Sequence, residues 1–150
     1  MIKQIEFYYD FISPYSYIAH KRYLKIKKNK KIEFLYKPIL LGGLHNLAKI
    51  TAPALIKSKV KYLINDCEMV AKKFNIDFKF NSKFPINSIN LMRGILVIEE
   101  NKKQDFINSF FDAYWSLNID LSNENEINKI LKKLEIDKTV FFFKNKKSKN

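Results

Sequence analysis

In the stretch FYYDFISPYSYIAH, residues 7–20, a β-prone run ends at Asp10 and Ser13-Pro14-Tyr15-Ser16 opens a helical pattern. No other feature constrains the fold of this chain as much. Serine before proline is a helix start: the Ser13 hydroxyl accepts a backbone N–H as N-cap, and Pro14 at the first helical position gives up no needed donor. Residues 3–9 then read as a strand. Residues 14–28 read as a helix, with Tyr17, Ile18, Tyr23, Leu24 and Ile26 on or near one face. From Lys31, KIEFLYKPIL alternates apolar and polar as a second strand, and Pro38 with Gly42-Gly43 breaks the pattern into a loop. Strand, helix, strand with this long a connection predicts a right-handed βαβ unit and a parallel pair.

Beyond residue 44 the period changes. APALIKSKVKYLINDCEMVAKKF reads as a helix with Pro53 near its start, NSKFPINS as a loop, and INSINLMRGILVIEENK as a second helix. KQDFINSFFDAYWSL and SNENEINKILKKLEI are two more, the last with Ser122 as its expected cap. The expected organisation is an α/β frame over 1–44, an inserted helical subdomain over 45–136, and a truncated return segment with a basic tail over 137–150. TVFFFK, residues 139–144, is the candidate third strand. A two-strand sheet is too little to support such a frame, so the pattern reads as one that stops early.

Composition narrows the functions. A chain of 150 residues that is 47% hydrophobic fits one globular domain. The single cysteine, Cys67, allows no intrachain disulfide. With two histidines it gives too few ligands for zinc, and it reads as a plain buried thiol. The net charge of +13 invites a nucleic-acid reading. Yet all but Arg22 and Arg93 of the 28 basic residues are lysine, which lacks the fork for bidentate base or phosphate contacts. No apolar run approaches the ~20 residues of a membrane span, and the N-terminus does not read as a secretory signal. The expectation is a cytoplasmic protein with neither nucleic-acid nor membrane partners.

The start of the 14–28 helix carries the positive end of its dipole and unpaired N–H groups, so an anion such as a thiolate is stabilised there. Ser13 and Ser16 stand where a C-x-x-C motif would put its two cysteines. Serine cannot exchange disulfides, but it can hydrogen-bond another molecule's thiolate.

FYYDFISPYSYIAH resembles the opening of the glutathione-dependent 2-hydroxychromene-2-carboxylate isomerases and the related kappa-class glutathione transferases, of the DsbA-like branch of the thioredoxin fold. Three more segments agree in order: KPILLGGL (37–44), AKKFNIDFKFNSKFPINSINLMRG (71–94) and FFDAYWSLNIDLS (110–122). The resemblance implies a thioredoxin-like βαβ core with an inserted all-helical subdomain and the C-terminal strands of the fold missing. It implies glutathione as cofactor, with the residue matching Ser13 holding the sulfur, those matching Pro14 and Tyr15 lining that contact, and Lys59 placed for a glutathione carboxylate. Arg93 is the candidate for the carboxylate of a small aromatic substrate, since arginine binds carboxylates bidentately.

Departures from the family pattern fall at two places. Ile50 stands where the family often has an asparagine, with Asn46 nearby but not at that position. The family's later part, with its Val-Pro-Thr-type cis-proline loop, has no counterpart here. Two readings follow: a glutathione-dependent isomerase with Ser13 stabilising the thiolate, or a truncated, catalytically silent relative of the kappa-class transferases. A homodimer, or association through an unpaired sheet edge, is the expected partner mode, with Tyr17 or Ile18 and the VFFF run at 140–143 exposed. His20 reads as a solvated helix residue, His45 as a loop residue without catalytic role, and Asp10 as a structural hydrogen-bonding group. Phe84, Phe110, Phe111, Tyr114 and Trp115 read as core.

Overall fold

The computed structural model describes residues 2–27, 31–139, 141 and 142. Strand β1 (Lys3–Tyr9) and strand β2 (Ile32–Pro38) pair in parallel, in register from Lys3 opposite Ile32 to Tyr9 opposite Pro38. Helix α1 (Pro14–Ile26) connects them as the βαβ pattern requires. It starts where Ser13 caps it, its hydroxyl accepting from Ser16 N at 3.2 Å. Helix α1 buries Tyr17, Ile18, His20 and Tyr23, and the Tyr23 ring stacks on Phe34 of β2 at 4.1 Å between centroids. Among the described residues β1 has no second partner, so its outer edge is unpaired.

Helices dominate the rest of the described chain. After α1 come α2 (Leu41–Leu47), a 3₁₀ turn at Pro53–Leu55, α3 (Lys57–Lys73), α4 (Ile89–Val97), α5 (Glu100–Trp115) and α6 (Glu124–Lys133). Helix α5 supplies more of the core than any other element: Phe106, Ile107, Phe110, Phe111, Ala113, Tyr114 and Trp115 are all buried. Phe11, just after β1, sits among Phe106, Phe110 and Phe111, and its carbonyl accepts from Trp115 Nε1 at 2.8 Å. That bond satisfies the indole N–H, which would otherwise be buried unpaired. Asn81 closes the other end, donating to the carbonyls of Tyr114 and Ile119 at 2.8 and 3.0 Å. No described helix is long and apolar enough to cross a membrane.

Four local expectations are corrected. The expected loop at Gly42-Gly43 is helix α2, because the Asp10 carboxylate accepts from Leu41 N at 2.8 Å and caps it across space. The helix expected through INSINLMRGILVIEENK breaks at Ile98, whose ψ of 159° is extended, so α4 and α5 are separate. Asn123, not Ser122, caps α6, accepting from Asn125 N at 2.9 Å. Finally, TVFFFK does not supply a third strand: Lys138, Thr139, Phe141 and Phe142 are helical, and 143–144 lie outside the described residues. Asp137 starts this turn by accepting from Thr139 N at 2.7 Å.

The exposed apolar surface expected from an early stop is not found where it was placed. Tyr17 and Ile18 are buried, and so is Phe141, against α4 at Gly94. Phe142 is half-buried, while Val140 and Phe143 lie outside the described residues.

Candidate functional site

The site is built on the turn between β1 and α1. The Asp10 carbonyl accepts from Ser13 N at 3.0 Å, and the Asp10 carboxylate, buried beneath the turn, accepts from Ile12 N at 3.1 Å. The same carboxylate accepts from Leu41 N at the head of α2 and, at 3.0 Å, from the Ser88 hydroxyl at the head of α4. One side chain therefore ties together three segments that surround Ser13. Burial raises its pKa above the ordinary carboxylate value, and the hydrogen bonds it accepts oppose that rise. Its structural reading stands.

Above this clamp lies a cleft with two adjoining lobes. The narrower, of about 350 Å³, is bounded by Ser13, Pro14 and Tyr15, by Leu63 of α3, and by Phe84 and Pro85 of the opposite loop. Apart from His45, the remaining side chains of its walls are apolar. The Phe84–Pro85 peptide is cis. The wider lobe, of about 660 Å³, extends past Asn46, Lys49 and Thr51 to Asn87 and Ser88. Ile12, His45 and Ile86 are among the residues that border both.

At the mouth of the narrower lobe, Ser13 Oγ uses one lone pair on Ser16 N, which leaves the hydroxyl proton to donate. The first turn of α1 holds no acidic residue to compete for its N-terminal field. Tyr15 remains a neutral phenol, pushed up to about 12 by desolvation and by the neighbouring Asp66 carboxylate. A ligand's anionic atom there meets donors and the positive end of a helix.

The other sequence candidates separate. Lys59 is exposed near the start of α3, one turn before Leu63, and lines neither lobe. Arg93 is half-buried on α4 and lines neither lobe. Phe110, Phe111, Tyr114 and Trp115 are core, whereas Phe84 is a cleft wall. Cys67 is fully buried, and burial pushes its thiol up to about 12, which fits an inert sulfhydryl.

Both histidines were misplaced by sequence. His20 is fully buried, its Nε2 donating to Asn108 Oδ1 at 2.9 Å and its Nδ1 accepting from Tyr36 at 2.7 Å. His45 lies on α2 rather than in a loop and borders both lobes. No group of His, Cys, Asp and Glu suited to a metal ion exists among the described residues.

Residues 4–150 match the family model described as a DSBA-like thioredoxin domain. A 2-hydroxychromene-2-carboxylate isomerase from Sphingobium xenophagum is 26% identical over 129 residues, covering 85% of this chain and 66% of the relative. Glutathione S-transferase kappa 1 from Caenorhabditis elegans is 24% identical over 140 residues, covering 87% and 62%. A solved 2-hydroxychromene-2-carboxylate isomerase superposes with a TM-score of 0.81 at 25% identity, covering 95% of this chain and 71% of that one. The chain thus spans just under two thirds of the length of these first two relatives.

Proposed function

Since the chain belongs to the DSBA-like thioredoxin domain family, we propose that it is a glutathione-dependent isomerase of the 2-hydroxychromene-2-carboxylate isomerase type. The observation that carries this reading is Ser13, a helix N-cap with a hydroxyl proton to donate, at the mouth of an apolar lobe. The residues fit the tripeptide in two respects: a donor for its sulfur and no acidic residue in the first turn of α1; Lys59, exposed on α3, is the candidate for a glutathione carboxylate. Glutathione, when bound, supplies a nucleophilic thiolate for reversible addition to a conjugated substrate. Ser13 holds that sulfur in its charged form by donating from Oγ. The α1 N-terminus adds its dipole, and Pro14 and Tyr15 shape the contact. A free thiol titrates near 8.5, and each unit of lowering corresponds to about 1.4 kcal/mol of preference for the thiolate. One charge-assisted hydrogen bond is of that size.

The alternative reading is a catalytically silent relative that binds glutathione without turning over the substrate. One pair of assays separates the two. Calorimetric titration with glutathione tests the site, and the absorbance change of 2-hydroxychromene-2-carboxylate, with and without glutathione, tests turnover. Binding with glutathione-dependent turnover is expected. Binding without turnover would favour the silent relative, and neither would overturn the glutathione reading.

A further inference from the structure

His45 stands where the two lobes meet, and holding a sulfur at Ser13 does not by itself require an imidazole there. It is half-buried on α2 and lines both lobes. The Asp10 clamp fixes its place. Ser13 N donates to Asp10 O, Leu41 N donates to Asp10 Oδ2, and His45 follows Leu41 by one helical turn, on the same face of α2. The end of α2 is held as well, by Ile50 N donating to His45 O at 2.9 Å. One buried carboxylate thus sets both Ser13 and the helix that carries His45 around a lobe of about 350 Å³.

Histidine ordinarily titrates between a carboxylate and a thiol, so it can take a thiol's proton near neutral pH and return it. Among the described residues, no aspartate or glutamate lines either lobe to pair with an imidazolium. The other titratable residues that line the lobes are Tyr15 of α1, a neutral phenol with Asp66 of α3 beside it, and Lys49 of the turn after α2. Asp10, beneath the head of α2, already accepts from Ile12 N, Leu41 N and the Ser88 hydroxyl. An anion brought to Ser13 is the counter-charge that this cleft lacks.

We propose that His45 is a further catalytic residue, whose ring nitrogen accepts the proton of a thiol held at Ser13 and keeps it as imidazolium while the sulfur is charged. The S–H bond breaks, its electron pair stays on sulfur, and His45 returns the proton when the thiol is re-formed. Ser13 supplies the neutral donor to the sulfur, and His45 the positive charge. This role rests on the glutathione reading given under Proposed function.

Proton NMR reads this directly, because the chain has two histidines and the His45 ring signal is the one lost in His45→Gln. The wild type is titrated alone, with glutathione, and with S-methylglutathione, which has no thiol proton to give. The His45 midpoint should rise by about one unit with glutathione, the effect of a nearby opposite charge, and not with S-methylglutathione. Lys49, Tyr15 and Asp10 are present in both complexes and cancel in the comparison. In His45→Gln the thiolate midpoint of bound glutathione should move up toward the free thiol's value. A His45 midpoint that bound glutathione leaves unchanged, or that S-methylglutathione raises equally, would overturn the role of His45 and leave the isomerase reading standing. Failure of glutathione to bind would overturn the isomerase reading and this role with it.

Discussion

His20 offers the sharpest test of the packing. It is fully buried between Tyr36 and Asn108, and its neighbours assign one neutral tautomer, with the proton on Nε2. Asn108 Oδ1 also accepts from Gln104 Nε2 at 3.1 Å, so this acceptor is already shared. Burial, more than any nearby charge, pushes the His20 pKa down from 6.5 to about 4; the Asn108 hydrogen bond opposes the shift, and Lys21 and Lys27 add to it. The native state therefore holds His20 neutral where the unfolded chain binds a proton. Stability from this group is fully present above about pH 6.5 and is lost as pH falls toward 4. Complete linkage over that window is worth about 3 kcal/mol. His20→Gln keeps a donor and an acceptor but cannot titrate. Urea unfolding of both proteins at neutral pH and near pH 4.5 isolates the histidine, because the carboxylates, Asp10 included, cancel in the comparison. The wild type should lose about 2–3 kcal/mol more than the variant on acidification. Equal losses in the two proteins would refute the argument that His20 is buried uncharged.

Two further outcomes follow from the core and the clamp. A Cβ on Gly94 would collide with the Phe141 ring, so Gly94→Ala should cost about 1–3 kcal/mol by urea unfolding despite alanine's better helix propensity. In a Phe141→Ala background that cost should vanish, and a cost that persists would mean Phe141 does not pack on α4. Asp10→Ala would leave Leu41 N and the Ser88 hydroxyl without their carboxylate. It should destabilise by about 3 kcal/mol and lower hydrogen-exchange protection in α2. Unchanged protection there would refute the clamp.

The features legible in the sequence were those whose causes lie close together along the chain. Ser13-Pro14 announced a helix start because cap and helix are adjacent, and the strand, helix, strand order with its long connection gave the parallel pair. Where the cause lies far away, reading failed. Helix α2 is capped by a carboxylate 31 positions earlier, so its two glycines passed for a loop. His20 is buried against partners 16 and 88 positions away, and the helical pattern around it showed nothing of either. Thr139, Phe141 and Phe142 are helical because Asp137 caps the turn and Gly94 leaves room for Phe141. In the site, the Ser13 mouth was legible, whereas the wider lobe was not, because it is assembled from separate segments around residues 40–52 and 86–89.

The central claim is that Ser13 holds a thiolate. Glutathione bound to the protein should show its ultraviolet thiolate absorbance with a midpoint about one unit below the free thiol's value near 8.5. In Ser13→Ala that midpoint should rise back toward the free value, while urea unfolding records a capping loss of about 1 kcal/mol and an otherwise intact fold. Bound glutathione that titrates at the same pH in both proteins would contradict the claim and leave Ser13 as a helix cap alone.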